Sequence, residues 1–113
     1  MKLHTLISTG VLALAISTSL SVAGSTSVEP AQIAAAKTAS DHEAIAKEYE
    51  AEATQLDRQV EMHERMLDTY NSNGKLPGPA KHCAALVKDL KAAAQEGRNL
   101  AAEHRKLAEA AKK

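Results

Sequence analysis

Asn71-Ser72-Asn73-Gly74-Lys75-Leu76-Pro77-Gly78-Pro79 is the stretch that decides the fold. Asn and Gly end helices, and Pro is tolerated at a helix's first turn, where a backbone N–H has no helical acceptor anyway. On both sides the chain is dominated by Ala, Glu, Lys, Leu, Gln and Arg, which lose least on entering a helix. The pattern predicts a helix over 40–71, a turn over 72–78 and a second helix over 79–111. A short link between two long helices makes them antiparallel neighbours. The expected fold is therefore all-α, a two-helix hairpin that dimerises into a four-helix bundle.

Working towards the N-terminus, Ser40-Asp41-His42-Glu43 has the spacing of a capping box, with Ser40 as cap and Glu43 reaching back. Residues 24–39 form a lead-in that is either flexible or a short helix. Residues 1–23 have the layout of a secretory signal peptide: Lys2 at the start, an apolar run from Leu6 to Leu20, then Ser21-Val22-Ala23. Cleavage after Ala23 would leave 113 − 23 = 90 residues, so a periplasmic or secreted protein is expected. The apolar run is short and rich in Ser and Thr, so no stable membrane insertion is expected after cleavage.

Composition narrows the function classes. The chain has 113 residues, enough for one small domain. It carries 14 Lys+Arg against 14 Asp+Glu, with two Tyr and no Phe or Trp. A nucleic-acid partner is not expected, because both the positive field and the base-stacking platform are missing. One Cys excludes an intrachain disulfide and any paired-cysteine zinc motif. Two thin helices offer no concave, water-excluding pocket, so no enzyme activity is expected.

Charge is divided unequally between the two helices. Residues 40–71 hold three basic and nine acidic groups, a net of −6; residues 72–113 hold nine basic and four acidic groups, a net of +5. Opposite signs favour laying the first helix against the second. The candidates for burial in that contact are Ile45, Tyr49, Leu56, Val60, His63, Leu67 and Tyr70 in the first helix. In the second they are Cys83, Leu86, Leu90, Ala93, Gly97, Leu100, His104, Leu107 and Ala111, in alternating steps of three and four. A lone hairpin buries only one stripe per helix, which is the reason to expect a homodimer. Sliding the sequence by 41 residues superposes Ala44 on Ala85, Lys47 on Lys88, Ala51 on Ala92, Ala53 on Ala94 and His63 on His104, which reads as an old helix duplication.

His42 and His63 are 21 residues apart, and so are Cys83 and His104. Three heptads separate the members of each pair, so each pair shares a stripe. With residue 70 beside residue 80, position i faces roughly 150 − i. That gathers His63, Met66, His82 and Cys83, with Met62 beside them, near the turn, and His42 and His104 at the far end. Thiolate, thioether and imidazole suit Cu(I) first and Zn(II) next. The distal His pair, with Glu43 or Glu103 nearby, suits Zn(II), Ni(II) or Cu(II). Adjacent residues on one helix point apart, so only one of His82 and Cys83 faces the seam. Packing alone also accounts for these residue types, and a Cys83–Cys83 bridge between chains competes with a thiolate site.

DHEAIAKEYEAEA (41–53), HERML (63–67), HCAAL (82–86) and LAAEHRKLA (100–108) resemble a type of small exported helical protein of proteobacteria. More distantly, on His42, His63, His82 and His104, the chain is similar to small periplasmic metal-binding four-helix proteins. The LTxxQ signature of periplasmic stress chaperones does not occur. The leading expectation is an exported protein that binds a soft transition metal, copper before zinc, in a buffering or resistance role. The second is a non-catalytic structural or interaction module of the cell envelope that holds no metal and docks an envelope partner.

Overall fold

The computed structural model describes residues 28–72, 74 and 76–113; the signal-peptide reading falls outside them. Three helices follow in order: α1 (Pro30–Ala35), α2 (Ala39–Ser72) and α3 (Pro77–Ala111). The long helices have 34 and 35 residues, and they lie against each other as an all-α hairpin. Each runs ~50 Å at 1.5 Å per residue.

The turn works as its residues suggest. Gly74 sits at φ +60°, where a Cβ would be strained, and its N–H donates to the Asn71 carbonyl at 3.2 Å. Pro77 opens α3 two residues earlier than the sequence suggested, and α2 reaches one residue further at each end than 40–71. Within the lead-in, residues 30–35 form the short helix α1, with Pro30 at its first turn.

The capping box is displaced from its expected position. Thr38, not Ser40, is the cap: its Oγ1 accepts from the Asp41 N–H at 3.1 Å, and Asp41 Oδ2 accepts from the Thr38 N–H at 2.9 Å. A second N–H, from Lys37, donates to the same oxygen at 3.0 Å. Ser40 lies inside the helix, so Glu43 has no cap to reach back to. The Thr-x-x-Asp box is the same motif two residues upstream, and these N–H donors hold the Asp41 carboxyl below its ordinary pKa.

α2 meets α3 along two heptad lanes from each helix. On α2 the first lane is Ala46, Ala53, Val60 and Leu67, and the second is His42, Tyr49, Leu56, His63 and Tyr70. On α3 the first lane is Ala80, Val87, Ala94, Ala101 and Ala108, and the second is Cys83, Leu90, Gly97 and His104. The buried members include Ala46, Tyr49, Ala53, Val60, Ala94, Ala101 and Ala108. Alanine on the first lane lets the backbones approach closely. A Cβ built on Gly97 would stand 3.4 Å from both the Ala53 Cβ and the Tyr49 carbonyl oxygen.

This seam corrects the expected stripe of α3. Leu86, Leu100 and Leu107 are exposed, at 44%, 43% and 48%, and Ala93 and Ala111 are exposed too. Leu86, Ala93, Leu100 and Leu107 form a third lane, adjacent to the Cys83–His104 lane and also spaced by heptads. The helix turns about one lane away from the larger leucines, because small residues permit the tighter contact with α2.

The two flanks of the seam differ in chemistry. On one, Lys91–Glu64, Arg98–Asp57 and Arg105–Glu50 form ion pairs, with heptad spacing on both helices. Each pair's residue numbers add to 155, as antiparallel register requires. Arg105 donates to Glu50 at 2.5 Å, which lowers the Glu50 pKa and raises that of Arg105. These groups are all well exposed, so each pair adds little to stability on its own. On the other flank lie the leucine lane and a groove of about 330 Å³ lined by Tyr49, Glu52, Leu56, Ala93, Glu96, Gly97 and Leu100.

At the N-terminal end of α2, the segment preceding it folds back. Val28 is buried in a cluster with Ile45, Ala46, Tyr49 and Ala101, and Gln32 donates to Glu48 at 3.0 Å. Ile45 is thereby sealed to 1% exposure although it lies beside the seam rather than in it.

Candidate metal-ligand pairs

The antiparallel register brings four of the six expected ligand residues together as two pairs. At the far end, His42 Nδ1 lies 3.1 Å from His104 Nδ1. Near the turn, Cys83 Sγ lies 4.0 Å from His63 Nδ1. All four belong to the second lane of their helix, and both pairs have residue numbers adding to 146.

These pairs are equivalent under the internal repeat. A shift of 41 residues carries His42 onto Cys83 and His63 onto His104. Reversing the two helices therefore exchanges one pair for the other, with a thiol standing where the other end has an imidazole. The hairpin holds one donor pair built twice, ~31 Å apart for 21 residues of helix.

The distal pair is the more enclosed. His104 is 8% exposed, and its ring centroid lies 5.4 Å from that of His42 and 5.8 Å from that of Tyr49. The two Nδ1 atoms stand at hydrogen-bond distance, and a bond between them requires a proton on one Nδ1 and a lone pair on the other. Burial, and then the charge of His42, push the His104 pKa below 6.5, because a second cation has nowhere to shed its field. Glu43, expected nearby, is half-buried, and Glu103 is exposed and paired with Lys106 at 2.7 Å.

Near the turn, Cys83 is buried at 5% exposure and its thiol is unbridged. His63 is half-buried. His82 and Met66 do not join them. His82 is exposed, since the residue next to Cys83 must point off the seam. Met66 is 37% exposed and lines a surface groove of about 280 Å³ with Met62, Arg65, Thr69 and Tyr70. The turn-proximal cluster is thus a pair with two methionines on the adjoining surface.

Both separations have coordination dimensions. Two imidazole nitrogens 3.1 Å apart, each ~2.05 Å from one ion, subtend about 98° at it. A sulfur and a nitrogen 4.0 Å apart, at ~2.3 and ~2.05 Å, subtend roughly 134°, between trigonal and linear. The first is the angle between neighbouring ligands of a tetrahedral or square centre. The second matches the low coordination that Cu(I) accepts from soft donors. No group of three or more His, Cys, Asp or Glu positioned for a metal occurs among the described residues, so each pair supplies two donors only.

Two features escaped the sequence reading. The ladder of Glu50, Asp57 and Glu64 against Arg105, Arg98 and Lys91 was present as heptad spacing of acids and of bases. The stacking of Tyr49 on His104 was foreshadowed by 150 − i, which sets residue 49 opposite residue 101. Among the described residues, no helix is long and apolar enough to cross a membrane. No protein-family model, curated protein or solved structure matches the chain.

Proposed function

We propose that this is an exported, non-catalytic hairpin that binds a soft transition metal, copper before zinc, in a buffering or resistance role and as a homodimer. One observation carries the reading: a single antiparallel register brings donor atoms within coordinating distance at two places 21 residues apart, His63 with Cys83 and His42 with His104. Sulfur with imidazole favours Cu(I) near the turn, and paired imidazoles favour Cu(II) or Zn(II) at the far end. Two donors per pair leave further coordination positions of a bound ion to be filled from outside the chain. Export, read from residues 1–23, places such a buffer where metal enters the cell.

Anaerobic titration of the purified protein with Cu(I), competed by a chromogenic chelator, tests this. The expected result is a saturable site tighter than micromolar that is lost in His63→Ala with Cys83→Ser. No such site, or binding indifferent to that double change, overturns the reading. A second reading, an envelope interaction module, draws support from the exposed leucines of α3. It requires a partner that stays bound in chelator and to protein lacking both donor pairs.

A further inference from the structure

α3 carries apolar residues on three adjacent lanes, but α2 covers only two of them. The third, Leu86–Ala93–Leu100–Leu107, borders the groove between Tyr49 and Leu100, on the flank opposite the ion-pair ladder. Across the groove, the corresponding lane of α2 holds Glu52, Gln59 and Met66, with Met62 one lane further out. The lanes bordering this flank contain no Lys or Arg among the described residues of α2 and α3: Glu48, Gln55 and Met62 on α2, and His82, Asp89, Glu96 and Glu103 on α3. Every basic side chain of the two helices belongs to another lane. The His63/Cys83 lanes adjoin this flank, so the donor pair, the exposed leucines and the carboxylates share one face.

Resting on the metal-binding reading above, we propose that this face receives a second copy of the chain, and that docking depends on a soft metal ion shared by the two His63/Cys83 pairs. The occupant follows from the donor set: each chain brings two donors, and a second copy brings the other two. With the two-fold axis along the helices, α2 of one copy lies over α3 of the other, and all neighbours are antiparallel. This arrangement sets each His63/Cys83 pair opposite its own copy, two sulfurs and two nitrogens around one ion, the complement that a single chain lacks.

Dependence on metal follows from size and sign. Val28, with Ala36 packed beside it, covers the Ile45 end, so the open stretch is that of α3 residues 86–100, ~20 Å long and about two helices wide. That is roughly 400 Å² per copy, about 800 Å² in all, below what holds a permanent dimer. Asp89 and Glu96 line the same stretch in both copies, so like charges oppose the approach. Leucine burial supplies part of the attraction, and the shared ion supplies the rest: each Cys83 thiol releases its proton to solvent and the two thiolates and two imidazoles hold one ion between the copies.

The test is light-scattering mass with metal content, measured on the full chain in chelator and again after anaerobic addition of Cu(I). The expected result is one chain in chelator and a doubling of mass with copper. Leu86→Glu, on an already exposed side chain, should still bind copper but remain a single chain. A dimer that persists in chelator, or copper binding with no change of mass, overturns the inference while leaving metal binding intact. So does a copper-loaded dimer that Leu86→Glu does not weaken. Absence of bound copper at every protein concentration removes both this inference and the function on which it rests.

Discussion

Gly97 offers the most direct measure of how closely the two rods lie. A glycine inside a helix costs about 1 kcal/mol relative to alanine. Gly97→Ala recovers that amount if its methyl fits, and the new Cβ would stand 3.4 Å from Ala53 Cβ and from the Tyr49 carbonyl oxygen. Both distances sit at the inner edge of ordinary contact, so part of the gain is lost to a small shift of the helices. The expected net is a stabilisation of ~0–1 kcal/mol. Gly97→Val adds two methyl groups beyond a position already in contact, on a backbone that cannot yield locally. Overpacking of this kind costs about 1–3 kcal/mol, and β-branching returns several tenths of the helical gain. The valine variant should therefore unfold at lower urea than wild type, and the alanine variant at equal or higher urea. For a domain of this size ~1 kcal/mol moves Tm by roughly 4–8 °C, well within reach of circular dichroism at 222 nm. If valine is as stable as alanine, the helices are not in contact at Gly97, and the close seam argued from Ala53, Ala94 and Ala101 is wrong.

Two further outcomes test the electrostatics. Asp57→Lys and Arg98→Glu should each cost about 0.2–1 kcal/mol, and the double exchange should restore most of it; independent single effects that simply add would remove the ladder from the account. His104 makes stability depend on pH: its folded pKa is lowered, so the unfolded chain binds the proton more readily. Stability is then full above about 6.5 and falls as pH drops from there towards the folded value. Thermal melts at pH 7.5 and 5 should show this loss, much reduced in His104→Gln; an undiminished slope in that variant would assign the effect to other groups.

Much of the architecture was legible because it rests on few decisions. Asn71 to Pro79 could only break a helix, the short link made its neighbours antiparallel, and the opposite charges of the flanking segments favoured their contact. Heptad spacing then made His63 meet Cys83 and His42 meet His104 without knowledge of the rotamers. What failed was the rotation of α3 about its own axis. Cys83, Leu90, Gly97 and His104 sit between two equally periodic neighbours, the alanine lane and the leucine lane, and periodicity cannot rank them. Side-chain size pointed to Leu86, Leu100 and Leu107; close approach selected Ala94, Ala101 and Ala108. The same rotation put His82 on the surface, while Met66 falls on the flank of α2 rather than in its seam, so the turn-proximal cluster shrank to two donors. The cap moved from Ser40 to Thr38 because both hydroxyls precede an acid by three residues, and Asp41 accepts from the Lys37 N–H of the incoming bend as well as from Thr38.

The ion-pair ladder also repeats every seven residues on both rods, which makes it a poor ruler. A slide of one heptad, ~10 Å along the axis, re-matches two of the three rungs: Asp57 would find Arg105 or Lys91 in place of Arg98. Charge therefore chooses orientation and side but is nearly indifferent to axial position. The zero of the scale is fixed by the few residues between Ser72 and Pro77, too short to feed a slipped alignment. In a hairpin with a longer connector the rods could shift a notch, and Cys83 would then lie across from Leu56 or Tyr70 instead of His63. The length of that connector, more than any attraction between the helices, keeps sulfur and imidazole in step.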